Sequence, residues 1–335
     1  MSCRELDWQR ATSLLRSSDE VVLVCHVAPD GDALGSMLAL GAALRSRGTR
    51  VVASWGSEPF EVPANYGFLP ALDLLVPAQE VPAAPEVLVT LDSGSVDRLG
   101  TLADRVDTAA QVLVVDHHTS NTSYGSVHLV DRGAAATAVL VAELLDRLGV
   151  PLTAEVAAPL YTGLVTDTGS FKHASTSPQV HELAARLLAT GIRHDLINRA
   201  IWDTQPFGYV RLLGEVCARA RLEADAAGGL GMVWTDVGAD DLERHGLGLS
   251  DVEGVIDVLR TAVEAEVAAV VKCDPADGLW KVSIRSKGSI DVGAVCTGLG
   301  GGGHRFAAGY TSPADLPSTV AALRAALADA CHLAP

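Results

Sequence analysis

Four apolar runs in this chain each lead directly into an aspartate or a histidine, and this repeated placement constrains the fold more than any other feature. The polar residues that close the runs are His26, Asp92, Asp116 and Asp167. Three of the runs have the length and the valine and leucine content of buried parallel strands. Ligands of open α/β sheets bind beyond the carboxyl ends of the strands. We therefore expect these side chains to meet at one edge of a sheet.

Strand and helix patterns alternate up to about residue 200, as they do in successive βαβ units. The predicted strands are 21–25, 50–54, 86–91 and 112–115, and the predicted helices are 33–47, 134–148, 153–165 and 178–189. The first of these helices is predicted to be amphipathic and to end at Gly48. The fold class that follows is α/β, with a doubly wound, mostly parallel N-terminal sheet.

The pattern changes after about residue 200, where strands and helices indicate a smaller α+β domain. The predicted strands are 230–235, 266–273 and 279–285, and the predicted helices are 252–262 and 291–299. The last helix leads into four glycines, Gly300 to Gly303, which we predict to be a flexible loop. The predicted boundaries are 1–195 for the first domain, 196–224 for a helical connector and 225–331 for the second domain.

The composition is that of an acidic protein without features of export. Its 41 acidic and 25 basic residues give a formal net charge of −16. Non-specific binding of nucleic acids depends on neutralising many phosphates, so this charge argues against long nucleic acids and favours a small anionic substrate. The chain starts without the apolar core of a secretory signal, has no apolar run of membrane-spanning length, and carries six scattered cysteines. We expect a cytoplasmic protein with free thiols and no membrane partner.

Carboxylates and imidazoles that converge on one edge can bind two divalent cations. Such ligands suit Mn²⁺, Mg²⁺, Fe²⁺ or Zn²⁺, and a carboxylate can bridge two cations about 3.5–4 Å apart. Asp92 is the predicted bridge, because it stands alone after a central strand. The other predicted ligands are His26 and Asp30 for one cation and Asp32, His117 and Asp167 for the second. A single aspartate after a strand is more often a turn or cap residue, and only the convergence of four segments favours a metal centre for phosphate-ester hydrolysis.

The same segments resemble the motifs of the DHH phosphoesterase family, which is named after the triplet seen here as Asp116-His117-His118. The other three motifs are His26-Val-Ala-Pro-Asp30-Gly-Asp32, Leu91-Asp92-Ser93 and Val165-Thr166-Asp167. Two later segments, Ser283-Ile284-Arg285-Ser286 and Gly301-Gly302-Gly303-His304, resemble the family's DHH-associated C-terminal domain. Within the family the chain is most similar to the short NrnA-type enzymes, oligoribonucleases that also dephosphorylate 3′-phosphoadenosine 5′-phosphate.

The resemblance implies an activity and a role for each motif. Two Mn²⁺ ions would activate water for attack on phosphorus in short RNA and in linear dinucleotides such as pApA and pGpG. Further substrates would be 3′-phosphoadenosine 5′-phosphate and cyclic di-AMP. His118 would stabilise charge at the scissile phosphate, and Asp116 would orient His117. The resemblance also implies a catalytic cleft between the two domains and a homodimer.

The C-terminal glycines are predicted to lie against the substrate. Their backbone N–H groups can form an anion nest, and the missing Cβ atoms allow a phosphate or ribose to approach closely. The predicted substrate-binding residues are Asn121, Arg285, Ser286, Gly301, Gly302, Gly303 and His304. The segment 134–137 is nearly all alanine, and it receives no substrate role.

Three other functions fit parts of the pattern. A manganese-dependent inorganic pyrophosphatase shares the metal ligands, but its basic C-terminal site differs from a glycine-rich segment followed by His304. A processive single-strand exonuclease is expected to have a basic groove and additional domains. A non-catalytic nucleotide sensor is expected to have lost ligands such as Asp92 or His117, and both are present.

Overall fold

The computed structural model describes residues 3–330 and residue 333, and it divides into two compact units. The N-terminal unit ends at Thr204 and the C-terminal unit begins at Gln205, within the predicted connector. Cys331, the last residue of the predicted second domain, lies outside the described residues. Among the described residues, no helix is long and apolar enough to cross a membrane.

The N-terminal unit alternates strands and helices along a parallel sheet. Its elements are α1 (Glu5–Ser17), β1 (Glu20–Cys25), α2 (Gly31–Ser46), β2 (Arg50–Trp55), β3 (Val87–Leu91), α3 (Arg105–Thr108), β4 (Gln111–Asp116), β5 (Val127–Val130), α4 (Thr137–Leu148), α5 (Ala154–Asp167), α6 (Pro178–Leu188) and α7 (His194–Trp202). The five strands are all parallel, in the order β2-β1-β3-β4-β5. The predicted parallel sheet is confirmed. The sequence pattern does not predict β5, which has only four residues and therefore no clear period.

Both faces of this sheet are buried, but different kinds of secondary structure pack on them. Helices α2 and α4 pack on one face, against side chains such as Leu23 and Val89, and α5 packs against these two helices. The opposite face, which carries Val22 and Leu88, is covered mainly by short 3₁₀ segments such as Val96–Leu102. Burial on both faces explains why the strands read as continuous apolar runs.

Helix α2 differs from its prediction, because it is not amphipathic. All of its residues from Gly31 to Leu44 are buried. The helix packs so closely on α5 that a Cβ atom added to Gly35 would lie 2.3 Å from the carbonyl oxygen of Pro159. A helix that is enclosed on all sides needs apolar residues around its whole circumference. The close packing also brings the start of α2 beside the end of α5, which matters for the candidate site.

The C-terminal unit is an α+β structure with its own six-stranded sheet. Its elements are α8 (Phe207–Ala218), β6 (Arg221–Glu223), α9 (Ala226–Gly229), β7 (Met232–Val237), α10 (Ala239–His245), α11 (Val255–Leu259), β8 (Val267–Cys273), β9 (Trp280–Ser286), α12 (Val292–Gly298), β10 (Gly302–His304), β11 (Ala307–Ser312) and α13 (Leu316–Ala328). The strand order is β10-β11-β9-β8-β7-β6, and only the β7–β8 pair is parallel. Helices α12 and α13 cover one face, whereas α8, α10 and α11 cover the other face over β7 and β8.

The glycine run is partly a strand, so the prediction of a flexible loop was wrong for its second half. Gly302 and Gly303 belong to β10, which pairs with β11. A Cβ atom added to Gly301 would lie 2.2 Å from the carbonyl oxygen of Gly309, and Gly303 has a φ angle of +138°. Glycine is required here by the close approach of two backbones. A strand with so few side chains has no hydrophobic period, which is why the sequence pattern did not reveal it.

Candidate metal centre and substrate-binding face

The carboxyl ends of three neighbouring strands carry half of the predicted metal ligands. His26 follows β1, Asp92 follows β3 and His117 follows β4. Because these strands are adjacent and parallel, their ends lie side by side. The other predicted ligands come from two helix ends beside this edge, namely Asp30 and Asp32 at the start of α2 and Asp167 at the end of α5.

These six side chains form two clusters that could each hold a metal ion. The clusters are His26, Asp30 and Asp92 on one side and Asp32, His117 and Asp167 on the other. In each cluster the three ligand atoms lie within 4.8 Å of one another. Carboxylate oxygens with imidazole nitrogens are a donor set that suits Mn²⁺ and related divalent cations. The described residues at this edge therefore fit the pair of cations that the sequence predicts.

The carboxylate of Asp92 lies between the two clusters and turns one oxygen towards each. Its Oδ2 atom is 3.6 Å from Nε2 of His26, and its Oδ1 atom is 3.5 Å from Nε2 of His117. The residue is 2% exposed, so water does not compete for either oxygen. This is the placement expected of a carboxylate that bridges two cations.

Both histidines of the clusters are oriented by backbone carbonyl groups. Nδ1 of His26 lies 2.9 Å from the carbonyl oxygen of Val27, and Nδ1 of His117 lies 3.2 Å from that of Ala134. A carbonyl oxygen can only accept a hydrogen bond, so we assign the ring proton to Nδ1 in both residues. The Nε2 atoms then face the clusters, as ligating imidazoles do when their other nitrogen is anchored.

The carboxylate of Asp116, which was predicted to orient His117, forms hydrogen bonds with His118 and Asn121. Its Oδ1 atom accepts a 2.7 Å hydrogen bond from Nδ1 of His118, and its Oδ2 atom accepts one of 2.6 Å from Nδ2 of Asn121. Successive side chains at the end of a strand point to opposite sides, so Asp116 shares a side with the residue two positions later. The fully buried Asp116 therefore fixes the orientation of His118.

Asn121 is held inside the protein on both sides of its amide. Besides the bond to Asp116, its Oδ1 atom accepts a 2.8 Å hydrogen bond from the backbone N–H of Ser123. The side chain is 5% exposed. Its contacts tie the Asp116–His118 pair to the following turn.

Ser36 and Thr137, which were given no role in the predicted site, hold the predicted ligand Asp32. Its Oδ2 atom accepts a 2.6 Å hydrogen bond from the backbone N–H of Thr137, and its Oδ1 atom accepts one of 3.1 Å from Oγ of Ser36. Ser36 could have been found from its position four residues after Asp32 on one helix face. Thr137 is distant in sequence and carries no such local signal.

Backbone strain is concentrated at the same edge. Among the described residues, seven that are not glycine have positive φ angles, and four of these lie in or directly after the motifs. They are Ala28 (52°), Asp92 (54°), Ser170 (57°) and Phe171 (66°). Such conformations cost of order 1–3 kcal/mol each and persist where the surrounding structure enforces them, typically at functional sites.

The clustered carboxylates change the pKa values at this edge. Burial opposes the charge on His26, but hydrogen bonds to Asp30 and Asp92 outweigh it and raise the pKa to about 10. Burial, opposed by the hydrogen bond from His117, raises the pKa of Asp167 to about 6. Burial and the charges of neighbouring carboxylates hold the pKa of Asp32 well above its usual range. The edge thus concentrates negative charge that protons or divalent cations must balance.

An exposed arginine stands beside the first cluster. Nη2 of Arg98 lies 3.3 Å from Nδ1 of His26, and the carbonyl oxygen of Arg98 accepts a 2.8 Å hydrogen bond from the N–H of Val27. In the described part of the chain, no carboxylate oxygen lies within 4.0 Å of its guanidinium group. Arg98 lies outside the predicted motifs and places a positive charge beside the first cluster.

The predicted substrate residues of the C-terminal unit lie in rows across one face of its sheet. His304, Ala307 and Arg285 are paired neighbours on β10, β11 and β9, and paired residues place their side chains on the same face. The next row is Gly302, Gly309 and Ser283. The intervening residues of β9 and β11, such as Val282 and Tyr310, point to the opposite face and into the core. The two rows therefore form a shallow surface of small residues with a histidine on one side and an arginine on the other, which we call the open face.

The side chains of Arg285 and Ser286 differ in how many hydrogen-bond or ion-pair partners they have within the protein. Nη1 of Arg285 donates to the carbonyl oxygen of Ile284, and no carboxylate oxygen of the described residues lies within 4.0 Å of its guanidinium group. Burial lowers the pKa of Arg285 from its usual value. Oγ of Ser286 donates a 2.8 Å hydrogen bond to Oε1 of Glu266 and accepts from the N–H of Gly288. Arg285 is thus placed for an anion from outside, whereas Ser286 is engaged by its own turn.

Comparisons with known proteins give matches to both units of the chain. The model of the DHH family, N-terminal domain, matches residues 20–164, and that of the DHHA1 domain matches residues 242–332. The bifunctional oligoribonuclease and PAP phosphatase NrnA of Thermus thermophilus is 36% identical over 87% of this chain and 83% of its own length. The protein of the same name from Bacillus subtilis is 26% identical over 89% of this chain and 92% of its own length. An exopolyphosphatase-related protein from Bacteroides fragilis has the same fold, with a TM-score of 0.88, 23% identity and coverage of 97% of this chain and 96% of that chain.

Proposed function

Because this chain belongs to the DHH family of phosphoesterases, and within it to the NrnA type, we propose that it hydrolyses short oligoribonucleotides to mononucleotides. We also propose that it removes the 3′-phosphate of 3′-phosphoadenosine 5′-phosphate. The observation that carries the proposal is the pair of clusters together with Asp92, which belongs to the first cluster and has its Oδ1 atom 3.5 Å from Nε2 of His117 in the second. The names of the relatives from T. thermophilus and B. subtilis include both activities.

We assign the two clusters to two Mn²⁺ ions, with Asp92 as their common ligand. One ion would be held by His26 and Asp30, and the other by Asp32, His117 and Asp167. A pair of divalent cations lowers the pKa of water and neutralises charge on a phosphoryl group. The absence of cysteine among these side chains and the abundance of carboxylate support a hard cation.

The chain's own cations are arranged to receive the phosphoryl oxygens. Burial opposes the charge on His118, but its hydrogen bond to Asp116 outweighs burial and raises the pKa. A charged imidazole that is fixed in this way can stabilise negative charge that develops on a phosphate. We assign this role to His118, a positioning role to Asp116, and the binding of a second phosphate oxygen to the exposed Arg98.

We assign the binding of a nucleotide portion of the substrate to the open face of the C-terminal unit. Arg285 and His304 supply hydrogen-bond donors there, and Gly302, Gly309 and Ala307 leave room for a ribose or a phosphate. A protein with a net charge of −16 that binds phosphates through a few fixed cations is suited to short substrates. Cyclic dinucleotides offer the same groups and are a second substrate class to test.

The test is a hydrolysis panel with purified protein and Mn²⁺. The substrates are pApA, pGpG, 3′-phosphoadenosine 5′-phosphate, cyclic di-AMP, a long single-stranded RNA and pyrophosphate. We expect rapid conversion of the dinucleotides to mononucleotides, release of phosphate from 3′-phosphoadenosine 5′-phosphate, and loss of both activities in EDTA. Pyrophosphate as the best substrate would favour a pyrophosphatase. Tight nucleotide binding without turnover would favour a sensor, and either result would contradict the proposal.

A further inference from the structure

Thr137, the first residue of α4, contacts carboxylates of both clusters. Its backbone N–H donates to Oδ2 of Asp32 at 2.6 Å, and its hydroxyl donates to Oδ1 of Asp92 at 2.9 Å. The next N–H group, that of Ala138, donates to Oδ1 of Asp32 at 2.9 Å. Thr137 is completely buried, so these contacts are made without competition from water. One turn of helix therefore holds two aspartates that are far apart in sequence.

The hydroxyl contact is informative because the carboxylate of an aspartate is otherwise free to turn. The terminal torsion of aspartate has a broad preference, so packing alone does not decide which oxygen faces which neighbour. In Asp92, Oδ1 faces His117 and Oδ2 faces His26. The hydrogen bond from Thr137 reaches Oδ1 alone and so selects this orientation.

Two other buried threonines of the N-terminal unit use their hydroxyl groups locally. The hydroxyl of Thr12 donates to the carbonyl oxygen of Trp8, and that of Thr162 donates to the carbonyl oxygen of Ala158, in both cases within the same helix. Such local bonds satisfy the hydroxyl without reaching a functional group. Thr137 instead reaches across 45 positions of sequence to Asp92.

We propose that Thr137 is a positioning residue that sets Asp92 to bridge the two metal ions. The proposal rests on the two-ion centre put forward above and adds the residue that orients the bridging carboxylate of Asp92. The hydroxyl occupies one lone pair of Oδ1 and leaves the other lone pair directed at the His117 cluster. The backbone N–H groups of α4 hold Asp32 at the same time, so both clusters share one support.

The test compares Mn²⁺ binding to full-length wild type, Thr137→Val and Thr137→Ser. Valine keeps the branched shape and the backbone N–H but removes the hydroxyl, whereas serine keeps the hydroxyl. Thr12→Val is the matched control, since it removes a buried hydroxyl from α1 that bonds within its own helix. Isothermal titration gives the number and affinity of bound ions, and electron paramagnetic resonance detects the exchange-coupled signal of a bridged Mn²⁺ pair.

We expect wild type, Thr137→Ser and Thr12→Val to bind two ions with a coupled signal. In Thr137→Val, one ion should bind about 10- to 100-fold more weakly, as is typical when a group that orients a ligand is lost. Its coupled signal should disappear at the Mn²⁺ concentration that saturates the wild type.

Two results would overturn the proposal for Thr137: an unchanged pair of ions in Thr137→Val, or equal weakening in Thr137→Ser. If Thr137→Val does not fold by circular dichroism, Thr137→Ala provides the same comparison without the added methyl group. A wild type that binds fewer than two ions would contradict the two-ion centre itself, and this failure is visible before any variant is measured.

Discussion

The carboxyl edge of the N-terminal sheet and the open face of the C-terminal sheet are built in opposite ways. At the edge, His26, Asp32 and Asp92 are buried, and hydrogen-bond donors hold the carboxylates of Asp32 and Asp92. On the open face, the surface is shaped by glycines, and His304 is exposed. The function of the edge should therefore depend on the identity of single side chains, whereas the function of the open face should depend on the register of its strands. We expect substitutions at the edge to abolish activity and substitutions on the face to reduce it by degrees.

The largest effect is expected for Asp92→Ala. Removing the shared carboxylate should lower the rate of pApA hydrolysis by about 1,000-fold or more, because metal stabilisation of the transition state is worth several kcal/mol. The far-ultraviolet circular dichroism spectrum should not change. Asp97→Ala, which removes an exposed aspartate from the following turn, is the control and should retain full activity. Retained activity in Asp92→Ala with an unchanged number of bound ions would contradict the bridging role.

A smaller and substrate-dependent effect is expected for Arg285→Gln. Loss of a charge-assisted hydrogen bond should raise the KM for pApA by roughly 10- to 100-fold. The rate with bis(p-nitrophenyl) phosphate, which carries no nucleoside, should change little. Lys281→Gln is the matched control. Lys281 lies on the same face of β9, but its Nζ atom is paired with Oδ2 of Asp277 at 3.3 Å. A change in kcat with both substrates and an unchanged KM would place Arg285 in the chemistry and break the contrast between edge and face.

A weaker effect of the same kind is expected for His304→Ala. The exposed imidazole should contribute about one ordinary hydrogen bond, so the KM for pApA should rise by about 5- to 10-fold. Hydrolysis of bis(p-nitrophenyl) phosphate should again be nearly unchanged. Steady-state kinetics of the wild type and the variant with both substrates measures these changes. Equal losses on both would assign His304 to catalysis instead of substrate binding.

The smallest effect concerns strain at the edge. Ala28, between His26 and Asp30, has a φ angle of 52°, and Ala71, outside the clusters, has one of 62°. Glycine adopts this conformation without strain, so each alanine-to-glycine change should raise the free energy of unfolding by about 1 kcal/mol. Denaturant unfolding measures the gain. Only Ala28→Gly should also weaken Mn²⁺ binding, by a few-fold, because it loosens the turn that joins His26 to Asp30. Equal Mn²⁺ affinities in the two variants would show that the strain at Ala28 has no role in the metal centre.

The sequence predicts that these residues meet at one edge because His26, Asp92 and His117 follow apolar strands, while Asp30, Asp32 and Asp167 lie at the ends of buried helices. The parallel order of β1, β3 and β4 then brings His26, Asp92 and His117 together with no further information. The partners of these residues are not predictable in the same way. Asp116 contacts His118 because of the alternation of side chains at a strand end, and Thr137 reaches Asp92 through the tertiary position of α4.

The open face is less visible in the sequence, because its essential residues carry almost no side chain. Gly302 and Gly309 give no periodic signal, and only the pairing of β10 with β11 and of β11 with β9 places them in one row. Helix α2 shows the converse limit, since its apolar residues identify a helix but do not tell whether one face or the whole circumference is buried. Burial is decided by the neighbours that pack against an element.

Anomalous diffraction at the manganese absorption edge, from crystals soaked in Mn²⁺, tests the shared carboxylate most directly. Two peaks about 3.5–4 Å apart are expected, as in two-metal phosphoesterases. One ion should be bonded to Oδ2 of Asp92 and Nε2 of His26, and the other to Oδ1 of Asp92 and Nε2 of His117. A single peak, or two peaks of which only one marks an ion bonded to Asp92, would contradict the two-ion centre.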